Sequence, residues 1–410
     1  MSIRRRTFNL SRRGFLRSAI LAGAGGMLAP WSSLAEETIM MPFANGQRRM
    51  VVFPQKKPLI LLTSRPPQLE TPFSVFNESI LTPNDLFYVR YHLAGVPTSV
   101  DTTTFRLEVK GKVGSPLSLS VHDLKKQFDA VELVAVNQCS GNSRGYFEPR
   151  VAGGQWSNGA MGNARWKGAR LKDILQKAGI DGTAKQVAFR GLDHPVLDTT
   201  PAFQKALDAD HAMDGEVMVA YEMNGSDLPL LNGFPIRLIV PGFYATYWVK
   251  HLHEITVLDE DLDSFWMKTA YRIPDNDCAC VTPGAAMSKT RPIGRMNIRS
   301  FITNLSDGQK IAVGKRITIR GIAFDGGDGI DTVQFSSDGG QTWTETKQGR
   351  NYGNYSFREW TCHFTPKAAG DYQLQCCAVN RKGETQPKQP LWNPSGYMRN
   401  VIETIRVSAA

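Results

Sequence analysis

Residues 131–144 read VELVAVNQCSGNSR, an apolar run followed by a loop of small and polar residues. The run from Val131 to Val136 predicts a buried strand, because short apolar stretches bounded by polar loops are typical of sheet interiors. Cys139 directly follows this strand, in a loop that lets a bulky group approach the backbone. Arg144, five residues on, is near enough in sequence to stabilise a thiolate, which is a good ligand for a soft metal. Spacing alone leaves two interpretations open, a functional thiol and a buried structural cysteine.

Further strands and helices interleave around this strand without a regular strand–helix–strand repeat. The predicted fold class is α+β, and the absence of a GxGxxG motif after a strand argues against a Rossmann dinucleotide site. The predicted elements are strands at 104–109 and 186–190 and helices at 120–128, 171–178 and Pro201–Leu207, with Ser120 as an N-cap. Residues 36–85 are rich in proline and lack periodicity, which predicts an extended arm over a folded body and not a separate domain.

Beyond about Thr290 the sequence changes to short alternating strands separated by turns. Predicted strands cover 317–321, 333–337 and 372–379, and the sequence DGG at 338–340 supplies residues that tolerate positive φ in a hairpin turn. About 120 residues of this pattern predict an immunoglobulin-like β-sandwich at 289–410, after a larger α+β domain at 36–288. The Cys…Trp…Cys spacing of true immunoglobulin domains is absent, so the prediction concerns architecture alone.

Residues 1–35 carry the features of an export signal. The sequence SRRGFL at 11–16 precedes an apolar stretch from Ala19 to Pro30, and SLA at 33–35 provides small residues for cleavage. Paired arginines followed by Phe-Leu predict a twin-arginine signal peptide, which sends folded proteins to the periplasm and is used for enzymes with complex cofactors. The apolar stretch is shorter than the ~20 residues of a membrane span. A membrane anchor is therefore the less favoured alternative, and no membrane span is expected after cleavage.

The composition is that of a globular protein and argues against nucleic-acid binding. Of 410 residues, 41% are hydrophobic and 21% are charged, which is enough apolar material for at least two folded units. Six arginines and no acidic residues lie within residues 1–35, and without them the formal net charge of +10 falls to +4. This small excess leaves no basic region of the kind that binds nucleic acid, so no nucleic-acid partner is expected.

The remaining five cysteines give no signature of a metal or haem site. Cys278 and Cys280 are separated by one residue, a spacing too short for a normal four-ligand zinc site. Cys376 and Cys377 are adjacent, which excludes that kind of site for the same reason. No Cys-x-x-Cys-His motif is present, so no covalently attached haem is expected in this chain. Free or disulfide-bonded thiols are the expected states of these four residues and of Cys362, and their pairing stays open.

Several long motifs resemble those of the sulfite oxidase family of molybdenum enzymes. They cover essentially the whole chain after residue 35 and include NQCSGNSR at 137–144, QWSNGAMGNARW at 155–166, GFPIRLIVPG at 233–242 and SDGGQTW at 337–343. Within this family the chain is most similar to the catalytic subunits of bacterial periplasmic sulfite dehydrogenases, which pass electrons to a separate c-type cytochrome. The resemblance implies a molybdopterin-binding catalytic domain at 36–288 and a Mo-cofactor dimerisation domain at 289–410.

The resemblance also implies roles for residues at matching positions. Cys139 corresponds to the thiolate ligand of molybdenum, which one molybdopterin per chain coordinates through two further sulfurs. Arg90, which is expected to contact the cofactor as well, and Arg144 match anion-binding positions. Arginine suits a small oxyanion because its forked donors stay charged. Tyr271 corresponds to a pocket tyrosine, and Trp156 corresponds to a tryptophan of the pocket wall.

A second group of matching positions concerns the cofactor. His92 matches a residue that contacts both the substrate region and the cofactor. Asp193, Arg237 and Lys250 match positions that hold the pterin and its phosphate, which need a polar cradle with cations and acceptors. Asn232 is counted among the cofactor-binding residues, but it stands where vertebrate sulfite oxidases have a histidine. This departure puts the pterin contact at that position in question.

The activity implied by the resemblance is the molybdenum-dependent two-electron oxidation of sulfite to sulfate. The sequence shows no haem-b5-type domain, so electrons are expected to pass singly to a c-type cytochrome or haem subunit. A homodimer through the C-terminal domain is one expected assembly. Two alternatives stay open: a sulfane dehydrogenase subunit acting on protein-bound sulfur, and a non-enzymatic periplasmic binding protein with Cys139 as an inert core thiol. A methionine sulfoxide reductase is disfavoured because those enzymes lack the C-terminal sandwich.

Overall fold

Strands dominate residues 37–410, which are the residues that the computed structural model describes. The predicted signal peptide at 1–35 lies outside them. The strands are β1 (Thr38–Met40), β2 (Gln47–Val51), β3 (Leu59–Ser64), β4 (Pro67–Glu70), β5 (Val89–Arg90), β6 (Leu107–Gly111), β7 (Leu117–Leu119), β8 (Ala130–Gln138), β9 (Met161–Arg170), β10 (Gln186–Gly191), β11 (Gln204–Asp208), β12 (Met218–Met223), β13 (Arg237–Ile239), β14 (Leu252–Leu258), β15 (Arg272–Pro274), β16 (Thr290–Pro292), β17 (Arg299–Ile302), β18 (Gln309–Ile311), β19 (Ile317–Phe324), β20 (Ile330–Ser336), β21 (Thr344–Glu345), β22 (Lys347–Gln348), β23 (Arg358–Phe364), β24 (Gly370–Asn380) and β25 (Thr404–Ala409). The helices are α1 (Val121–Gln127), α2 (Leu171–Ala178), α3 (Ala209–Ala212) and α4 (Phe265–Lys268), with 3-10 turns at Phe73–Asn77, Arg144–Tyr146, Leu230–Asn232 and Ala245–Tyr247. The α+β prediction is confirmed in part, because helices are present but few and short.

Local sequence signals account for the two longer helices. α1 begins after Ser120, whose hydroxyl accepts a hydrogen bond from the Asp123 amide while the Asp123 carboxylate accepts one from the Ser120 amide. This reciprocal pair satisfies amides that the first helical turn leaves without partners. α2 spans the predicted residues 171–178 and ends at Gly179, whose φ of 67° is a conformation that glycine commonly supplies after a helix. Both helix predictions are confirmed.

A four-stranded antiparallel sheet in the order β13-β12-β9-β8 carries the loop of Cys139. β8 pairs with β9 over its whole length, so the strand predicted at 131–136 is confirmed and extends to Gln138. The last four residues of β8 are buried, which fixes this end of the strand in the core. The ladder ends immediately before Cys139.

A second sheet, in the order β11-β10-β14-β6-β7, shares an apolar core with the first. Its strand pairs are antiparallel except for β14 with β6, which is parallel. α2 contributes four fully buried side chains to this core, namely Leu171, Ile174, Leu175 and Ala178. Their spacing of three and four residues puts them on one face of the helix. Burial of this shared apolar core is the main force that holds the sheets together.

The predicted helix at Pro201–Leu207 is wrong. Residues Gln204–Asp208 form β11, which pairs antiparallel with β10 at the edge of the second sheet. Lys205, Ala206 and Leu207 are all buried, although successive strand residues point to opposite faces. Tertiary contacts on both faces outweigh the weak helix preference of so short a segment.

The prediction of an extended arm at 36–85 is also wrong. This segment, together with the residues just after it, forms a five-stranded sheet in the order β1-β2-β3-β4-β5. Its small core includes Leu59 and Leu69, neither of which is exposed. Arg90 in β5 lies opposite Gln68 in β4. These strands are two to six residues long, too short for alternation to be visible among the prolines.

Two sheets form the C-terminal sandwich, in the orders β17-β19-β23-β22 and β18-β25-β24-β20-β21. One apolar core joins them, with Ile319 and Trp360 from the first sheet and Val333 and Leu374 from the second, none of them exposed. The two-sheet architecture is confirmed. Its immunoglobulin-like classification stays a prediction.

The sequence signals of the sandwich agree with the structure. The strands predicted at 317–321, 333–337 and 372–379 correspond to β19, β20 and β24. The turn between β20 and β21 contains Gly339 and Gly340 with φ of 72° and 86°, the positive values for which glycine was expected. The hairpin prediction is therefore confirmed.

Three further observations concern the chain as a whole. Cys278 and Cys280 form a disulfide, and the other four cysteines are free thiols. Residues Thr38–Ala410 form one compact unit. Within it, β15 pairs with β16 across the domain boundary expected between residues 288 and 289. The position of that boundary stays a prediction. Within residues 37–410 no helix is long and apolar enough to cross a membrane.

We expect Gly321→Ala to destabilise the chain more than Gly182→Ala. A Cβ atom at Gly321 in β19 would lie 2.2 Å from the Phe301 carbonyl oxygen and 2.2 Å from the Trp360 ring. Overpacking of this kind costs about 1–3 kcal/mol. Gly182 is the matched control, because a Cβ atom there meets nothing within 4 Å. Urea unfolding measures both variants, and equal free energies of unfolding would contradict the packing around Gly321.

Candidate active site

Cys139 begins a tight loop whose backbone is fixed on both sides. Its amide donates to the Ala160 carbonyl at 2.9 Å, and its own carbonyl accepts from the Asn142 amide at 3.0 Å. Ser143 has a φ of 69°, a left-handed conformation that is uncommon for residues other than glycine. The Cys139 side chain is a free thiol that is 8% exposed. The loop therefore holds a thiol in a defined position at the end of β8.

Two cavities meet at Cys139, and Arg90, Ser140 and Tyr271 also line both of them. The first has a volume of about 590 Å³ including its opening to solvent and is lined by the predicted site residues Arg90, His92, Cys139, Asp193, Asn232, Arg237, Lys250 and Tyr271. The second has a volume of about 830 Å³ including its opening to solvent and is lined by the predicted residues Arg90, Cys139, Arg144, Trp156 and Tyr271. The structure thus brings all the predicted site residues to one connected region. Their individual roles stay predictions.

Several buried polar atoms on residues that line the first cavity have no hydrogen-bond partner among the described residues. They are Arg90 Nη1, Asn137 Nδ2, Ser140 Oγ, Arg237 Nε and Thr246 Oγ1. A buried polar atom left without a partner costs about 1–3 kcal/mol. All five atoms can donate a hydrogen bond. Because all five atoms belong to residues of one cavity lining, the site favours a ligand rich in acceptor atoms.

Positive charge dominates the first cavity. The Lys250 ammonium donates to the Arg90 carbonyl at 2.7 Å and lies 4.3 Å from the centroid of the Tyr91 ring. Burial lowers the pKa of Lys250 to about 7 and that of Arg237 to about 10. Asp193 is the carboxylate of the lining, and burial raises its pKa. Because burial disfavours these cations until an anion approaches, the cavity favours an anionic ligand.

Two stacked tyrosines lie between the arginines of the second cavity. The ring centroids of Tyr271 and Tyr397 are 5.3 Å apart. The guanidinium carbon of Arg90 lies 6.0 Å from the Tyr271 centroid, and that of Arg144 lies 5.1 Å from the Tyr397 centroid. Trp156, which is 1% exposed, forms part of the wall. Aromatic faces stabilise both cations in place. The arrangement suits a small oxyanion bound near two guanidinium groups.

His92 and Tyr271 form a hydrogen-bonded pair beside this junction. The His92 Nε2 atom lies 2.5 Å from the Tyr271 hydroxyl, and the imidazole stacks on Phe203 with centroids 3.8 Å apart. Burial, reinforced by the charge of Arg90, lowers the pKa of His92 well below its usual value, so the imidazole is neutral. Tyr271 has a φ of 59°, a strained conformation for an aromatic residue. Strain of this kind is typical of functional sites that the surrounding structure fixes.

Asn232 lines the first cavity, but its side chain already has protein partners. The Asn232 Oδ1 atom accepts from the Lys56 ammonium, and its Nδ2 atom donates to the Tyr88 carbonyl at 3.1 Å. The Asn232 carbonyl accepts from Arg237 Nη1 at 3.0 Å. These contacts hold Arg237 in the cavity wall. A direct contact between Asn232 and a cofactor stays a prediction.

Sequence reasoning missed several residues of the two cavities. Tyr397 reaches the second cavity from the C-terminal part of the chain, and Gln68 reaches it from β4. Asn137, Ser140 and Thr246 line the first cavity, and each carries a buried polar atom that has no hydrogen-bond partner within residues 37–410. The motif around Cys139 contains two of these residues and was a usable signal. No local pattern singles out Tyr397, Gln68 or Thr246.

Two family models match the chain. An oxidoreductase molybdopterin binding domain matches residues 92–266, and a Mo-co oxidoreductase dimerisation domain matches residues 290–409. The first range contains Cys139 and most of the lining of the first cavity. The second range contains both sheets of the sandwich.

Similar proteins agree with these matches. The mitochondrial sulfite oxidase of Macaca fascicularis is 36% identical, over 87% of this chain and 67% of its own length. The sulfite oxidase of Arabidopsis thaliana is 30% identical, over 87% of this chain and 96% of its own length. The chain therefore spans about two thirds of the macaque protein and nearly all of the plant protein.

A solved structure shares the fold across both domains. The sulfane dehydrogenase SoxCD from Paracoccus pantotrophus superimposes with a TM-score of 0.72 at 22% sequence identity, covering 93% of this chain and 92% of that chain. At this identity the likeness concerns the fold alone. Together with the family models and the sequence relatives, it leads to one conclusion: the chain belongs to the sulfite oxidase family of molybdenum oxidoreductases.

Proposed function

We propose that this chain oxidises free sulfite to sulfate in a molybdenum-dependent two-electron reaction. The observation that carries the proposal is the meeting of two cavities at Cys139. One cavity favours an anionic ligand rich in acceptors, and the other presents Arg90 and Arg144 to a small oxyanion. A thiolate at the junction would be a suitable ligand for a soft metal held between cofactor and substrate.

The lining of the first cavity fits one molybdenum cofactor. Cys139 can supply a single thiolate, and within residues 37–410 no three His, Cys, Asp or Glu side chains are grouped to hold a metal ion. Arg237 and Lys250 would bind the phosphate, and the unpaired donors of Asn137 and Ser140 would bind acceptor atoms of the cofactor. The bound cofactor would supply oxygen-atom transfer and two-electron chemistry that side chains do not provide.

The second cavity would bind and orient the substrate. Arg90 and Arg144 offer planar donors to the oxygens of sulfite, and the buried Trp156 excludes water from one side. Burial raises the pKa of Tyr271, so its hydroxyl stays protonated at neutral pH. The neutral His92 shares a hydrogen bond with this hydroxyl and fixes its direction.

The proposal extends to the electron acceptor and the location. We propose that electrons leave singly to a c-type cytochrome or haem subunit, and that the chain works in the periplasm after twin-arginine export. We also propose that this chain carries no covalently attached haem. The match to a dimerisation domain at residues 290–409 supports a homodimer. An immunoglobulin-like classification of that domain is supported by its two packed sheets.

We expect the purified chain to contain about one molybdenum atom, and Cys139→Ser to abolish sulfite oxidation. A serine hydroxyl is a harder and poorer metal ligand than a thiolate. Cys362→Ser is the matched control, because Cys362 is another free thiol and lies in β23 of the sandwich. Metal analysis and sulfite-dependent reduction of cytochrome c measure both variants. Full activity of Cys139→Ser would refute the thiolate assignment, and activity only with a sulfur-charged carrier protein would refute free sulfite as the substrate.

Arg→Gln at position 90 or 144 is expected to lower kcat/KM for sulfite more than Arg→Lys. A charge-assisted hydrogen bond is worth ~1.5–3 kcal/mol, which corresponds to a roughly ten- to hundred-fold loss. Lysine keeps the charge but loses the planar fork. Steady-state kinetics per bound molybdenum measures the effect, with the exposed Arg150→Gln as control. Wild-type efficiency with reduced metal content would instead assign Arg90 and Arg144 to cofactor retention.

The cofactor-free chain is expected to become more stable as pH rises above about 7. The folded pKa of Lys250 is about 7 and its ordinary value is 10.5, so between these values the unfolded chain binds a proton that the folded chain does not. Lys250→Met removes the share of this penalty that Lys250 causes and should make the rise less steep, while Lys56 and Lys205, whose pKa values burial also lowers to about 7, keep the remainder. Urea unfolding at several pH values tests this, with the exposed Lys57→Met as control. Parallel curves for wild type and Lys250→Met would show that Lys250 is not the group that titrates.

A further inference from the structure

Two charged side chains of the N-terminal sheet are buried next to the site without lining either cavity. Glu70 in β4 is 0% exposed, and Lys56 between β2 and β3 is 6% exposed. Burying a charge is costly unless hydrogen bonds replace the lost water. The partners of these two residues therefore show what each charge holds in place.

Glu70 accepts three hydrogen bonds from one short segment that follows Trp156. The donors are the Ser157 amide at 3.1 Å, the Gly159 amide at 2.8 Å and the Ser157 hydroxyl. Burial raises the pKa of Glu70, and the three donors oppose that effect. One carboxylate thus fixes both ends of residues 157–159.

The segment held by Glu70 is bound directly to the Cys139 loop. The Ala160 carbonyl accepts from the Cys139 amide at 2.9 Å, and the Ser157 carbonyl accepts from the Ser143 amide at 2.6 Å. The Trp156 carbonyl accepts from the Gly145 amide at 2.9 Å. Any shift of residues 157–159 therefore moves the thiol and the loop that carries Arg144.

Lys56 has the opposite charge and is hydrogen-bonded to Asn232, which lines the first cavity. Its ammonium donates to the Asn84 carbonyl at 2.7 Å, to the Phe87 carbonyl at 3.0 Å and to Asn232 Oδ1. The Asn232 carbonyl in turn accepts from Arg237 Nη1. Arg237 lines the first cavity, and its Nε atom is buried without a hydrogen-bond partner among the described residues.

We propose that Glu70 and Lys56 are positioning residues. Glu70 positions the Cys139 loop, and Lys56 positions the Arg237 side chain through Asn232. Each charge gathers three hydrogen bonds, so neither can be replaced by a neutral side chain without leaving buried partners unsatisfied. The N-terminal sheet thereby sets the position of the Cys139 thiol relative to the Arg237 side chain, which would hold the phosphate of a bound cofactor. This inference rests on the proposed function in one respect, that a cofactor occupies the first cavity.

The test compares Glu70→Gln and Lys56→Gln with two exposed controls, Glu78→Gln and Lys57→Gln. The holoenzyme is followed by molybdenum loss below the unfolding temperature, by sulfite kcat and KM per molybdenum, and by thermal unfolding. Lys56→Gln should speed molybdenum loss about tenfold, the effect of one charge-assisted hydrogen bond, with KM for sulfite within about twofold of wild type. Glu70→Gln should lower kcat/KM per molybdenum by about tenfold or more, because it also removes a charge-assisted hydrogen bond.

A second readout does not need molybdenum. Iodoacetamide alkylation of Cys139, resolved by mass spectrometry in the cofactor-free chain, reports how firmly the loop buries the thiol. Glu70→Gln should speed alkylation of Cys139 but not that of Cys376, which is buried in the sandwich core. If Glu70→Gln does not fold, Ser157→Ala removes one donor and keeps the charge, and it should change Cys139 alkylation in the same direction.

These outcomes distinguish the positioning roles of Glu70 and Lys56 from the proposed function. Variants that unfold at lower temperature but keep wild-type molybdenum loss, kinetics and Cys139 alkylation would show a merely structural role and overturn the inference. A wild-type chain that binds no molybdenum would overturn the proposed function. In that case altered Cys139 alkylation in Glu70→Gln would still support the positioning role of Glu70, and unaltered alkylation would refute it.

Discussion

The site depends on where the pairing of β8 with β9 stops. The ladder runs to Gln138, opposite Met161, and the next residue is Cys139. Because this end of β8 is buried, the position of Cys139 is fixed, and the loop begins its turn at this residue. The loop then needs only a few backbone hydrogen bonds to the start of β9 to hold its shape. Both cavities, with their arginines and stacked tyrosines, are arranged around that point.

Within residues 37–410, the hydrogen bonds that hold Arg144, Arg237 and Lys250 go to backbone carbonyl groups. Arg237 donates to the carbonyls of Asn232 and Trp248, each at 3.0 Å. Lys250 donates to the Arg90 carbonyl, and Arg144 donates to the carbonyls of Gly154 and Ser395. A carbonyl fixes the direction of a cation without neutralising it. The positive charge therefore remains available to a ligand, and the energetic cost falls on the stability of the ligand-free chain.

The sequence predicted those parts of the fold that have local causes. Ser120 and Asp123 begin α1 through their own hydrogen bonds, and Gly339 and Gly340 form a turn that needs positive φ. The motif around Cys139 was visible because strand and loop are adjacent in sequence. The segment ending at Leu207 was mistaken for a helix because its partner, β10, determines its conformation and is not visible locally.

The same limit explains why the N-terminal sheet and some residues of the site were missed. The strands between residues 38 and 90 are stabilised by pairing with one another, and each is too short to show a period. Tyr397 stacks on Tyr271 from more than a hundred residues away in sequence, so only the folded chain brings them together. Contacts of this kind depend on topology, which a single sequence does not state.

The contribution of residues 395–398 to the site has a consequence for biosynthesis. The Met398 amide donates to the Ser140 carbonyl at 2.9 Å, and the Ser395 carbonyl accepts from Arg144 at 3.0 Å. These residues come more than 250 positions after Cys139 in the sequence, so the ribosome makes this wall of the site long after the Cys139 loop. Chains are made from the N-terminus at about 5–20 residues per second. The nascent chain therefore has an open, incomplete site until residues 395–398 have been made, and a cofactor can be enclosed only after that point.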